Sequence, residues 1–451
     1  MKFVKHTLLI AAIAFFSIQS FAQGTAKTSV AAQAATVTEF EVNGLKVLLK
    51  RRESAPTFAG GLFFRGGVRN QTAANAGIEN LTLSSATEAG TKFNRQQVRR
   101  QLAATGSSIG AGAGRDYSSI AFVSTTQNFD RIWDIFADVT LAPAFAVADV
   151  ERVRQQMLAG LREAETSPDG ALHSAADRVI NAGHPYSVAS SGTIQTVTGL
   201  KITDLKNYHK DLLQTSRMLL VIVGDIDPDV LKTKVTQTFG KLPVGNYKES
   251  PTAQLKWNAP TVDITQRAIP TNYVLGTYSA PSLGDPDYYA MRVATTILQQ
   301  MVYEEVRQKR QLSYAPNAEL NNNAANTGTI YVTAVDANQS VQVMIDQIRM
   351  LQRELLNDEA ISGMAGQFLT GYYLSQETNV AQVRELAQYE LIGGGWRRGF
   401  DFLDRIQAVN ARDVQRVARK YMNNLRFTVI GDPAAVNKDV FMKTAPLVPA
   451  M

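Results

Sequence analysis

Met218-Leu219-Leu220-Val221-Ile222-Val223-Gly224-Asp225 is an unbroken apolar run of strand length, closed by a Gly-Asp pair. A helical stretch opened by Asp204 and ending near Leu213 leads into it. Near the end of the chain the same order returns. Asn410-Ala411-Arg412-Asp413 opens a helix to Tyr421, and Phe427-Thr428-Val429-Ile430-Gly431-Asp432 closes a strand. The two Gly-Asp pairs stand 207 residues apart (432 less 225). Solenoid units run only about 20 to 50 residues, so the repeat reads as a duplicated domain.

Working outward, each half alternates hairpin-type strands with helices. In the first half, Thr38-Glu39-Phe40-Glu41-Val42 and Leu45-Lys46-Val47-Leu48-Leu49 flank Asn43-Gly44, a strong hairpin signal. Ala59 to Phe64 is a third strand, Gly77 to Ala89 a helix, and Ser107 to Val123 a glycine-rich strand pair. Its glycines, Gly110, Gly112 and Gly114, are read as sites of close backbone approach. Long helices follow at Phe129 to Leu141 and Val147 to Glu165. In the second half, Asn272 to Tyr278 and Thr329 to Val335 are strands, and Pro286 to Gln300, Val341 to Leu356 and Glu359 to Leu374 are helices. The expected class is α+β, with two homologous domains, each a largely antiparallel sheet with helices on one face. The expected layout is a signal peptide at 1–22, a flexible leader at 23–37, a first domain at 38–250, a linker at 251–263, a second domain at 264–440 and a tail at 441–451.

Composition narrows the function. Lys2 and Lys5, the apolar run Leu8 to Phe16 and the small-x-small site Ser20-Phe21-Ala22 have the form of a secretory signal peptide. No other stretch is long and apolar enough to span a bilayer. The chain has no cysteine, which excludes disulfides and thiol catalysis. With secretion, the expected compartment is the periplasm. Net charge is +6, and removing Lys2 and Lys5 leaves 44 basic against 40 acidic residues, net +4. The basic runs Lys50-Arg51-Arg52 and Arg307 to Arg310 lack interleaved aromatics, so they read as solvated faces and nucleic acid is not an expected partner.

Val302-Tyr303-Glu304-Glu305-Val306-Arg307-Gln308-Lys309-Arg310-Gln311-Leu312-Ser313-Tyr314-Ala315 is the stretch richest in chemistry. Its first part has helical spacing, and the run into Pro316 ends it. Arg307 and Tyr314 lie seven apart, two turns if the helix ran through, so both would face one side. A guanidinium fork binds a carbonyl or carboxylate, and a phenol donates to an oxyanion. The same residues also describe a surface helix with a solvated Arg and a half-buried Tyr.

With Asp285-Pro286-Asp287-Tyr288-Tyr289-Ala290 ahead of it, this stretch resembles the second half of the pitrilysin/insulinase group of zinc metallopeptidases, peptidase family M16. Gly77-Ile78, Glu88-Ala89-Gly90-Thr91 and Gly183-His184-Pro185-Tyr186 are similar to the family's first domain. The resemblance spans nearly all of residues 38–440 and implies two homologous domains forming half of a hinged chamber. It implies that Arg307 and Tyr314 bind substrate and that Tyr314 is the catalytic group on this chain. The family's glycine turn ahead of the Arg-bearing helix is replaced by Gln299-Gln300. Active members carry His-x-x-Glu-His on the helix after the first glycine, with two histidines on one face binding zinc. Here that stretch is Glu79-Asn80-Leu81-Thr82-Leu83-Ser84-Ser85, without histidine, and the third ligand's position falls near Ala159-Gly160. The chain is therefore expected to bind no metal. His173, His184 and His209 have no metal-type spacing and read as ordinary structural or surface residues.

The expected function is the non-zinc subunit of a heterodimeric periplasmic metalloendopeptidase, inactive alone. A partner subunit would bring His-x-x-Glu-His and the zinc, and peptides would be the substrates. The alternatives are a non-enzymatic structural protein and a peptide-binding module using a strand edge.

Overall fold

In a computed structural model of the chain, residues 34–446 are described. The expected signal peptide, most of the leader and the last five residues lie outside them. The first domain runs β1 (Val37–Val42), β2 (Leu45–Arg51), β3 (Thr57–Arg65), α1 (Ile78–Ala86), α2 (Arg95–Thr105), β4 (Ser108–Ala113), β5 (Tyr117–Thr125), α3 (Phe129–Leu141), α4 (Val147–Thr166), α5 (Pro168–Ile180), α6 (Ile202–Leu212), β6 (Met218–Gly224) and α7 (Pro228–Phe239). The second runs β7 (Thr261–Gln266), β8 (Asn272–Ser279), α8 (Tyr288–Val302), β9 (Asn317–Leu320), β10 (Thr327–Ala334), α9 (Ala337–Arg353), α10 (Asp358–Ser375), α11 (Asn379–Ile392), α12 (Ala411–Tyr421) and β11 (Arg426–Gly431).

The first sheet is ordered β1-β2-β6-β3-β5-β4 and the second β7-β11-β8-β10-β9. Set β1 aside and the two orders are the same, strand for strand. In each, one parallel pair (β2 with β6, β7 with β11) sits in an otherwise antiparallel sheet. The duplication reaches single residues. A Cβ on Gly60 of β3 would meet Ile222 at 2.5 Å and Phe122 at 2.6 Å, and one on Gly276 of β8 would meet Phe427 at 2.5 Å and Ile330 at 3.0 Å. Each glycine makes room for a large side chain from the strand beside it. Asn43 and Gly44 both have positive φ, as a tight hairpin turn between β1 and β2 requires.

Each domain's own helices cover one face of its sheet, and the other domain covers the second. On the first sheet, Leu49, Leu62, Phe122 and Leu220 point to α1, α3 and α7, while Leu48, Phe63, Leu219 and Val221 pack on Val383, Leu386 and Ala387 of α11. On the second sheet, Leu275 and Ile430 pack on Leu172 and Ala176 of α5. The domains thus exchange one helix each. That is why all of β6 is buried and reads as an unbroken apolar run.

Two boundaries differ from the expected layout. β7 begins at Thr261, inside the stretch expected to be linker (251–263), because it pairs with β11. The connection before it is packed rather than loose: Leu255 is buried with Val68, Tyr186 and Ala325. Phe441, expected in the tail, is fully buried, 5.1 Å from the Phe427 ring, and Thr444 bonds the backbone of Leu425 at 3.0 Å. The glycines of β4 also need correction. A Cβ on Gly110 or Gly112 meets nothing within 4 Å, so close approach does not explain them; only Gly114 is crowded, at 2.8 Å from the Tyr117 carbonyl.

Candidate functional site

The Arg307/Tyr314 stretch is built on the end of α8. Gln299-Gln300 does not interrupt that helix. It continues past Val302 and widens into a π-turn over Tyr303–Lys309, pinned by the fully buried Val302 and Val306. Such turns are rare and recur at functional sites. Gln311 then takes φ +54°, and the Leu312 N–H donates back to the Val306 carbonyl at 2.9 Å. The helix therefore does not run through to Tyr314. The chain folds back over its own last turn, and this return, not helical period, brings the two side chains together.

The Arg307 guanidinium lies 4.0 Å from the centre of the Tyr314 ring and 5.4 Å from that of Tyr303. It also donates to the Tyr314 backbone carbonyl. A cation on a ring face is worth about 0.5–1 kcal/mol where exposed. Tyr314 is 79% exposed, so the phenol faces outward while its ring is held. The neighbouring cations are answered: Lys309 lies 2.8 Å from Glu304 and 2.7 Å from Glu305, and Arg310 pairs with Glu305. Among the described residues Arg307 is the cation of this run without a carboxylate. The site is therefore a surface guanidinium with unspent donors beside a free phenol, suited to a peptide carbonyl or an oxyanion.

The helix expected to match the metal motif is α1. Asn80 and Ser84 stand one turn apart, the spacing two zinc-binding histidines need, and bond each other at 3.2 Å. An amide and a hydroxyl in mutual contact are not zinc donors. Ala159 and Gly160 lie exposed on α4 and bring no ligand. Among the described residues no cluster of three or more His, Asp or Glu side chains is placed to hold a metal. These residues do not fit the ion that the family resemblance implies.

Glu79 has a different occupation. It is completely buried, accepts hydrogen bonds from Ser118 of β5 and Tyr208 of α6, and faces the Arg217 guanidinium at 3.5 Å. Burial pushes its carboxyl up, while Arg217 and the two hydroxyls pull it down. Nothing in the sequence announces these partners, which come from 39, 129 and 138 residues away. Two of the three histidines in the described residues are structural. His209 is buried, bonded at 2.8 Å to the Thr140 carbonyl and held below the usual imidazole range by burial. His184 accepts from the Tyr186 N–H at 3.1 Å and lies 3.0 Å from the Ala253 carbonyl, so it ties the domain connection down. His173 is exposed on α5.

A duplicated unit with one strand order and a helix exchanged each way places the chain in the class of two-domain α+β proteins built from an internal repeat. Known proteins agree. A family profile described as insulinase (peptidase family M16) matches residues 46–188, and one described as the peptidase M16 inactive domain matches residues 199–367, together more than half of the chain. An uncharacterized zinc protease of Mycobacterium leprae is 20% identical over 428 residues, covering 92% of this chain and 96% of its own. A probable mitochondrial-processing peptidase subunit beta of Arabidopsis thaliana is 22% identical over 406 residues, 84% of this chain and 75% of that one. The crystal structure of a peptidase M16 inactive domain from Pseudomonas fluorescens superposes with a TM-score of 0.81 at 19% identity, covering 88% of this chain and 98% of that one. The chain belongs to peptidase family M16.

Proposed function

We propose that this protein is the non-zinc subunit of a heterodimeric periplasmic metalloendopeptidase. The observation that carries the reading is the stacked, outward-facing Arg307/Tyr314 pair on a chain whose α1 offers Asn80 and Ser84 instead of metal ligands. Arg307 holds a backbone carbonyl of the bound peptide through the N–H groups it does not spend on Tyr314. The Tyr314 phenol donates to the oxyanion that forms at the scissile carbonyl. One such donor is worth about 3 kcal/mol in the transition state. The partner subunit brings His-x-x-Glu-His, the metal and the general base. Export rests on the form of residues 1–22, and the lack of cysteine suits an oxidising compartment.

The test is hydrolysis of a quenched peptide by this chain alone, the candidate zinc-bearing partner alone and the two mixed. Activity confined to the mixture, and falling about 100-fold or more with Tyr314→Phe, supports the reading. A mixture no faster than the partner alone sinks it. One observation favours a second reading, a structural subunit: Arg307 already bonds the Tyr314 carbonyl and so also latches its own loop. On that reading the complex forms and Tyr314→Phe changes nothing.

A further inference from the structure

Away from Arg307 and Tyr314, the second domain holds a cleft that the peptidase reading does not use. It lies between α8, α10 and α11, is closed at one end by Asn322 of the β9–β10 loop, and measures about 600 Å³. That is within the usual range for small-molecule sites, about 300–1,000 Å³. One wall is aromatic: Tyr372 and Phe402 stack with ring centres 6.0 Å apart at 13°, and Phe368 meets Phe402 at 6.4 Å. Three polar groups on the lining lack partners. The guanidinium groups of Arg292 of α8 and Arg384 of α11 have neither a hydrogen bond nor an ion pair among the described residues. Tyr372 is only 5% exposed, and its hydroxyl is buried without a partner. A purely apolar void would need no guanidinium, and a purely solvated one would not bury a phenol beside stacked rings.

We infer that this cleft binds the C-terminal carboxylate of a peptide whose last side chain is aromatic or large and apolar. Arg292 and Arg384 take the carboxylate, and the rings of Tyr372, Phe368 and Phe402 cover the side chain. The one carboxylate on the lining is Glu385, which accepts from the Gln376 amide and is attracted to Lys50 beyond the cleft. A dianion such as phosphate would set its second charge against Glu385 and leave the aromatic wall bare, so a monoanion with an apolar body fits better. The inference is independent of the proposed peptidase role, since it concerns binding and needs no partner subunit.

Calorimetric titration of the chain with N-acetyl-Ala-Phe as the free acid, its C-terminal amide, and inorganic phosphate tests this. The free acid is expected to saturate one site, with the amide at least tenfold weaker and phosphate weaker still. Arg384→Gln should weaken the acid at least tenfold without changing the melting temperature. Gly371 lines the cleft in mid-α10, and a Cβ there meets nothing within 4 Å. Gly371→Phe should therefore fold and abolish binding, while Arg307→Ala leaves it intact. Equal affinity for acid and amide, tighter binding of phosphate, no saturation at millimolar concentration, or binding that survives Gly371→Phe would each overturn the assignment. Loss with Arg307→Ala alone would move the ligand to the other site and overturn it equally.

Discussion

At the scale of single residues, the seven-residue spacing of Arg307 and Tyr314 was readable, but the reason for it was not. Helical period suggested one face; the pair actually meets because a π-turn ends α8 and Gln311 turns the chain back at φ +54°. An uncharged, unbranched glutamine in the left-handed region carries no sequence signal, since glycine or asparagine is the usual choice there. This makes Gln311 a positioning residue that can be tested apart from the chemistry. Gln311→Gly should keep the turn, stabilise the chain by up to about 1 kcal/mol and, on the proposed peptidase reading, keep the activity of the mixed subunits. Gln311→Val, β-branched at positive φ, should displace Tyr314 and cut kcat at least tenfold while the melting temperature falls only slightly. Comparing kcat, KM and thermal melting for the two variants checks this; equal activity in both would show that the fold-back does not place the phenol.

At the scale of elements, strands with one-sided or unbroken apolar patterns were legible, and so were the long helices. Three were not: β7, the four-residue β9 and α11. β7 alternates weakly because it lies at the sheet edge with half its residues exposed. α11 is packed on both sides, with Val383, Leu386 and Ala387 against the first sheet and Tyr389 in the second domain's core, so its apolar residues form no single stripe. Helix α1 was located correctly, yet the role of its buried carboxylate, Glu79, was hidden by distance along the chain. Glu79 joins α1 to β5, to α6 and to Arg217 just before β6. Glu79→Ala strands the Arg217 guanidinium, itself 6% exposed, without its carboxylate. Loss of one member of a buried pair costs about 3–5 kcal/mol. Urea unfolding should show that loss, with Glu79→Gln losing less because the amide oxygen still accepts from one of the two hydroxyls, Ser118 or Tyr208. A Glu79→Ala midpoint equal to the parent's would mean the network carries no stability.

At the scale of the whole molecule, the duplication was visible in the sequence but the reciprocal docking of the halves was not. Lys50-Arg51-Arg52 shows why. Read as a solvated basic run, it is in fact part of the seam between domains. Lys50 is 4% exposed with its ammonium 5.1 Å from the Phe400 ring, and Arg52 bonds the Glu377 carbonyl of the second domain at 3.2 Å. In β2 the side chains alternate, so Lys50 shares the face of Leu48, and that face is covered by α11. The charge is buried because the second domain arrives there, which no local pattern reports.

That burial has a consequence for pH. Burial lowers the Lys50 ammonium from the usual lysine value of 10.5 to about 8, against the attraction of Glu385 and with the repulsion of Arg52. A lysine depressed in the folded state holds its proton more weakly there than in the unfolded chain. Between about pH 8 and 10.5 the unfolded state therefore binds more protons, and stability from this group rises with pH. Below pH 8 both states are charged and the folded one bears the full cost, on the order of 3 kcal/mol. Lys50→Met keeps the length and apolar body of the side chain and removes the charge. It should be more stable than the parent at pH 7 by up to that amount, and the advantage should shrink steadily through pH 8.5 to 10. Chemical unfolding of both proteins at these three pH values isolates the effect, because titrating groups that do not interact with Lys50 cancel in the difference and Glu385, which does, is an acid that titrates far below the lysine range. Curves that stay parallel across the range would show that the seam opens enough to solvate the ammonium, and the two domains would then be hinged where the fold now has them locked.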